Sequence, residues 1–206
     1  MRPSAAAVPG DQASTAPSAV MPLWLVRHAQ PLLEPGVCYG ALDVAADSQA
    51  THIAAQALAQ QLPPGAFLHV STLQRCELLR KQLCALRPDL AYKNDARLRE
   101  MNFGQWEGQR WSLIPRDAYD AWTTDFWQYR FGGAESVAEF MARVEWAWCD
   151  AQAQSARGVA PVWLTHAGVI RAVSLLAQGV LEVHDAALWP VDAPGFGQYR
   201  RLDFRI

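Results

Sequence analysis

Two apolar runs far apart in the chain, Leu23-Trp24-Leu25-Val26 and Val162-Trp163-Leu164, each stop abruptly at a histidine. The first continues as Arg27-His28-Ala29 and the second as Thr165-His166-Ala167-Gly168. Short runs of large apolar residues bounded by polar ones read as buried strands. Open α/β sheets gather ligands at the carboxyl ends of such strands. Two strands of this form in one parallel sheet would deliver Arg27, His28 and His166 to a single edge, and that requirement restricts the chain to folds in which helices cover both faces of the sheet.

The rest of the chain is consistent with that demand. Asp47 or Ser48 is placed to cap a helix whose stripe is Ile53, Ala54, Ala57, Leu58 and Leu62, ended by Pro63-Pro64-Gly65. Ala66-Phe67-Leu68-His69-Val70 reads as a further strand, followed by Ser71-Thr72 and a helix with Cys76, Leu79, Leu83 and Leu86 on one face. Arg75 falls in that helix's first turn, where backbone N–H groups already favour an anion. Glu135 or Ser136 opens a helix with the stripe Val137, Phe140, Met141, Val144 and Trp148, and 197–204 alternates like a half-exposed final strand. The expected fold is a three-layer α/β/α sandwich with a mainly parallel central sheet, occupying residues 22–206 as one domain. Residues 1–21, rich in Ala, Pro, Ser and Thr with no continuous apolar core, read as a disordered tail rather than a signal peptide. An aromatic-rich stretch at about 97–135, punctuated by Gly104, Gly108 and Gly132-Gly133, reads as a cap-like insertion packed over the strand edge.

Composition removes several classes of function. The formal net charge is -2 and no run of basic residues occurs, which argues against nucleic acid or an anionic membrane surface as the main partner. No stretch approaches the roughly 18 apolar residues of a membrane span. The four cysteines are scattered, Cys38, Cys76, Cys84 and Cys149, and are expected to be reduced core thiols of a cytoplasmic protein. Neither a G-x-G-x-x-G after a strand nor a P-loop is present, so dinucleotide binding and P-loop chemistry lack their fingerprints, and no cofactor is implied.

Arg27, His28, Arg75 and His166, brought together, would make a pocket for a compact dianion, and phosphate matches the arginine forks bidentately. A neutral imidazole is a competent phosphoryl acceptor. The leaving alkoxide then needs a proton, for which Glu100, at the start of the aromatic stretch, is the best-placed carboxyl; surface pairing with Arg97 or Arg99 is its competing role. The two histidines as metal ligands are the rival chemistry, but arginine beside them would repel a cation, so no metal is expected.

The same residues carry a family resemblance. Leu25-Val26-Arg27-His28 resembles the R-H-G signature of the histidine phosphatase superfamily, the phosphoglycerate mutase-like proteins. Ser71-Thr72-Leu73-Gln74-Arg75-Cys76 is similar to its S-P-L-x-R segment, residues 99–108 to its E-x-x-F-G-x-W-E-G block, 132–136 to its G-G-E-S turn and 165–171 to its H-x-G-x-x-R close. The resemblance implies a metal-free covalent mechanism in which His28 becomes a phosphohistidine, Arg27, Arg75 and His166 bind the phosphoryl group, and Glu100 is the proton donor and then the base for water. The implied partner is a small-molecule phosphate monoester, hydrolysed; a mutase-type phosphotransferase and an inactive phosphate-binding protein are the alternatives, and homodimerisation stays open. Three departures stand out: Ala29 replaces the glycine after the nucleophile, Pro31 and Glu34 replace the family's frequent threonine and asparagine, and Thr72 replaces proline. Residues 36–43, Gly-Val-Cys-Tyr-Gly-Ala-Leu-Asp, resemble the loop of α-ribazole phosphatase-like members, which act in cobalamin nucleotide-loop assembly, with Ala41 in place of their usual arginine.

Overall fold

A computed structural model describes residues 20–204; most of the expected tail, residues 1–19, lies outside the described residues. Five strands form one sheet: β1 (Leu23–Arg27), β2 (Phe67–Val70), β3 (Ala91–Asn94), β4 (Pro161–Thr165) and β5 (Tyr199–Leu202). Their order is β3-β2-β4-β1-β5, all parallel except β5, which runs antiparallel along the β1 edge. β1 and β4 are neighbours in the register Trp24 to Val162 and Arg27 to Thr165, so their C-terminal residues emerge side by side.

Strand alternation divides the core between the two faces. Trp24, Val26, Leu68, Val70, Val162 and Leu164 pack against α1 (Ser48–Gln61) and α2 (Gln74–Leu86). Leu23, Leu25 and Trp163 pack against α4 (Val137–Ser155) and α5 (Ala167–Leu176) on the other side. This is the three-layer sandwich that the unbroken apolar runs demand, since a strand covered on both faces has no polar side. Helix starts follow local chemistry. Asp47 accepts from the Ala50 amide at the head of α1, and Ser136 with Glu139 forms a reciprocal capping box at the head of α4. Among the described residues no helix is long and apolar enough to cross a membrane.

Several local expectations need correction. Ile53 is 57% exposed and Ala57 also faces outward, because α1 buries Thr51, Ala54, Ala55 and Leu58 instead. Leu86 is likewise exposed, as the last residue of α2. Cys38 and Cys76 are buried, but Cys149 is an exposed thiol on α4 and not part of the core. Strand β3 has no counterpart in the sequence reading. All four of its residues are exposed, so this edge strand lacks the alternation that marks a buried one and is held by pairing with β2.

Between β3 and α4 the chain runs through short 3₁₀ turns and a single α-helix, α3 (Arg116–Thr124). Its centre is Phe131, fully buried, with Trp122 stacked on it at 4.4 Å and Trp111 at 6.2 Å, and with Trp106 and Tyr119 tilted against it. Gly132 lets the chain leave this cluster: it has φ +79°, and a Cβ there would lie 1.9 Å from the Phe103 carbonyl oxygen. Truncating the hub removes contacts that no neighbour can replace without moving. Phe131→Ala is therefore expected to lower unfolding free energy by about 3–5 kcal/mol, read from the midpoint of urea denaturation, whereas truncation of exposed Trp146 changes it by less than about 1 kcal/mol.

Candidate active site

The site begins where β1 and β4 end. The His28 amide donates to the Thr165 carbonyl at 3.0 Å, and the Ser71 amide after β2 donates to the Leu164 carbonyl at the same distance. Three strand ends thus place His28, Ser71 and His166 together, with the two imidazole rings 5.1 Å apart. His28 is 1% exposed, and its Nδ1–H donates to the Ala29 carbonyl at 2.7 Å. That bond fixes the tautomer and leaves the Nε2 lone pair free. Burial, and then the positive charge of Arg75, pull the His28 pKa down to about 3, against a weaker opposite pull from the Ala29 carbonyl. Ala29 is itself buried, so its methyl group is accommodated.

His166 is fully buried and is held in the complementary tautomer. Arg75 Nε–H donates to its Nδ1 at 3.2 Å, so its Nε2–H faces the Ser71 hydroxyl oxygen at 2.8 Å. Burial and Arg75 also push its pKa well down, with His28 adding to the effect. The remaining Arg75 bonds run to the Gly40 carbonyl at 2.7 Å and the Leu42 carbonyl at 2.9 Å. These bonds tie the first turn of α2 to the loop after β1, and Asp43 in the same loop accepts from the Gln74 amide at 2.7 Å, serving as a cap that α2 lacks locally. Glu34 is exposed near the other end of this loop and presents no carboxylate to the buried site. Arg27 is half-buried, with its guanidinium carbon 3.8 Å from the Phe196 ring centroid and one N–H on the Pro194 carbonyl.

Glu100 is held by the backbone. Its Oε2 accepts from the Gly168 amide at 2.9 Å and its Oε1 from the Met101 amide at 3.1 Å. Gly168 leaves room for the carboxylate in this position: a Cβ there would lie 2.2 Å from Glu100 Oε1. Arg97 pairs with Asp95 and Asp150 instead of Glu100, and among the described residues no ion pair joins Arg99 to Glu100. Behind Glu100, Arg143 donates to the carbonyls of Arg97, Arg99 and Glu100 and forms an ion pair with Glu135 at 2.7 Å, while Glu135 also accepts from the Asn102 amide. Arg27, Glu100, Gly168 and Arg171 border one cavity of about 440 Å³.

Of the residues singled out in sequence, His28, Arg75 and His166 meet directly, and Arg27 and Glu100 stand at the adjoining cavity. The guanidinium of Arg75 lies behind the imidazoles, fully buried. Sequence reasoning missed the supporting group of Ser71, Glu135, Arg143 and Gly168. Ser71, Glu135 and Gly168 fall within the motifs quoted for the family resemblance, whereas Arg143, inside the α4 stripe, carried no signal.

Two buried histidines against a buried guanidinium, with a carboxylate held on backbone amides beside the adjoining cavity, form a polar cluster at the carboxyl edge of the sheet in an α/β sandwich. The sequence profile of the histidine phosphatase superfamily (branch 1) matches residues 23–194, and the chain belongs to that superfamily as an enzyme of the phosphatase class. No curated protein matches the chain. Among solved structures, a mycobacterial glucosyl-3-phosphoglycerate phosphatase with VO3 is similar at 23% identity and TM-score 0.72, over 88% of this chain and 90% of that one. A Thermus thermophilus protein is 26% identical, with TM-score 0.64 over 89% of this chain and 94% of its own. An Escherichia coli K-12 protein provisionally assigned as an alpha-ribazole-5'-P phosphatase is 23% identical, with TM-score 0.65 over 78% and 80%.

The buried histidines have a consequence for stability. An imidazole whose folded pKa lies below its unfolded value of 6.5 contributes fully above that pH, and its contribution is lost as pH falls toward the folded value. Unfolding free energy is expected to decline below about pH 6.5 by on the order of 1 kcal/mol per pH unit for each of His28 and His166. Urea titrations at pH 7.5, 6.0 and 5.0 check this, with His28→Gln giving the shallower acid slope.

Proposed function

We propose that the protein hydrolyses phosphate monoesters through a phosphohistidine on His28. The observation that carries this reading is the Nδ1–H bond to the Ala29 carbonyl, which presents the other nitrogen of a neutral imidazole as a nucleophile. In the first step Nε2 of His28 forms a bond to phosphorus as the ester oxygen departs, and Glu100 passes its proton to that oxygen. Water then attacks phosphorus, the N–P bond breaks and Glu100 recovers a proton from the water. Arg27, at the cavity, offers N–H groups to the phosphoryl oxygens, and the buried charge of Arg75, bonded to His166, Gly40 and Leu42, adds a positive field from behind the imidazoles. His166, neutral and held between Arg75 and Ser71, adds a hydrogen-bonding contact beside His28.

For the substrate we propose α-ribazole 5'-phosphate, supported by the resemblance of residues 36–43 to α-ribazole phosphatase-like loops and by the likeness to the E. coli protein. In the presence of chelator the enzyme is expected to release phosphate from p-nitrophenyl phosphate and to prefer α-ribazole 5'-phosphate over glucosyl-3-phosphoglycerate by about tenfold or more in kcat/KM. Rapid acid-free quench should trap an acid-labile phosphoenzyme that is absent in His28→Ala, with turnover falling more than about a thousandfold. Full activity in that variant would refute the mechanism, and the reverse substrate preference would refute the assignment. Glu100→Gln, which keeps the shape and removes the titratable group, is expected to lower kcat about a hundredfold with a smaller change in KM; unchanged kcat would remove Glu100 from the proton-transfer role.

A further inference from the structure

The chain between α5 and β5 contains no strand or α-helix, yet its last residues are fastened to the end of β1. The Arg27 amide donates to the Gln198 carbonyl and the Gly197 amide to the His28 carbonyl, each at 3.0 Å. Residues 195–198 also close on themselves, since the Gln198 amide donates to the Gly195 carbonyl at 3.1 Å. Gly197, at the third position of this turn, has φ +72°, the conformation for which turns select glycine. A Cβ on Gly197 would lie 3.0 Å from the Ala54 methyl carbon, so the turn rests directly on α1. Phe196 therefore stands at the tip of a turn anchored to both a strand end and a helix.

The half-buried Phe196 ring reaches the two residues that open the site. Its centroid is 3.8 Å from the Arg27 guanidinium carbon and 5.5 Å from the His28 ring. The same segment binds Arg27 a second time, because one terminal nitrogen donates to the Pro194 carbonyl at 3.0 Å. The Arg27 Nε is enclosed and has no acceptor in the protein. Arg97, Arg143 and Arg200 pair with carboxylates, but among the described residues no ion pair engages Arg27. The difference has a chemical consequence. A carboxylate would hold the guanidinium and cancel its charge, whereas a ring face and one carbonyl hold it and leave the charge available at the cavity that Arg27 borders.

We propose that Phe196 is a positioning residue for phosphoryl transfer, whose ring fixes the guanidinium plane of Arg27 without neutralising it. The inference rests on the phosphatase reading, in which Arg27 meets the phosphoryl oxygens, and extends it to a residue of the segment before β5. A guanidinium already held in place loses less freedom when the phosphoryl group arrives, so the ring contributes to binding of that group through Arg27.

The test measures kcat and KM for p-nitrophenyl phosphate and competitive inhibition by inorganic phosphate. Phe196→Leu keeps an apolar side chain and removes the ring; Phe196→Tyr keeps the ring. Leu is expected to lower kcat/KM and to raise the phosphate inhibition constant about five- to tenfold each, and Tyr to stay within about twofold of wild type on both. In an Arg27→Met background, followed under single-turnover conditions, Phe196→Leu is expected to add less than about twofold. Phe196→Leu indistinguishable from wild type, an equal loss in Leu and Tyr, or the same Leu effect with and without Arg27 overturns the positioning role and leaves the phosphatase reading standing. No phosphate release by the wild type overturns both.

Discussion

A guanidinium with no exposed surface governs this site. Arg75 is 0% exposed, and its bonds go to two backbone carbonyls and an imidazole, with no carboxylate among them. Dipoles can hold a buried cation but leave its charge uncompensated. His166 must be neutral to accept from Arg75, that charge adds to the larger effect of burial in lowering the pKa of His28 and His166, and the carbonyls of Gly40 and Leu42 lie over the first turn of α2 to accept from it.

The carboxylate side is built on a different principle. Glu100 rests on two amides, and the loop carrying it is gripped from behind by Arg143, whose donors reach the carbonyls of Arg97, Arg99 and Glu100 and the Glu135 carboxylate. Because Glu135 also takes the Asn102 amide, the ion pair ties both flanks of Glu100 to the head of α4. Gly168 completes the arrangement by leaving out a methyl group where the carboxylate sits. The G-G-x-E-S turn and the H-x-G close, far apart in sequence, thus serve a single side chain.

The aromatic stretch has two faces. Toward the interior it condenses around Phe131, with Trp122 and Trp111 stacked on that ring. Toward the site the same tryptophans, with Phe126, form the cavity wall. Packing on one side thereby holds the cavity wall in place on the other, in a segment with little regular secondary structure.

The sequence alone determined the layers of the sandwich and the positions of His28 and His166, because an apolar run covered on both faces ends where the chain must turn polar, and that boundary is local. It likewise marked the caps Asp47 and Ser136, which act within three residues. The outward turn of Ile53 and the existence of β3 were illegible, since the first depends on which helix face meets the sheet and the second on pairing with β2 alone. Only the tertiary structure decided that Arg75 would be buried behind the imidazoles, that Arg143 and Glu135 would position Glu100, and that the aromatic stretch would leave a cavity beside it. Each of those outcomes joins residues from separate elements, where distance and desolvation, not spacing along the chain, set the chemistry.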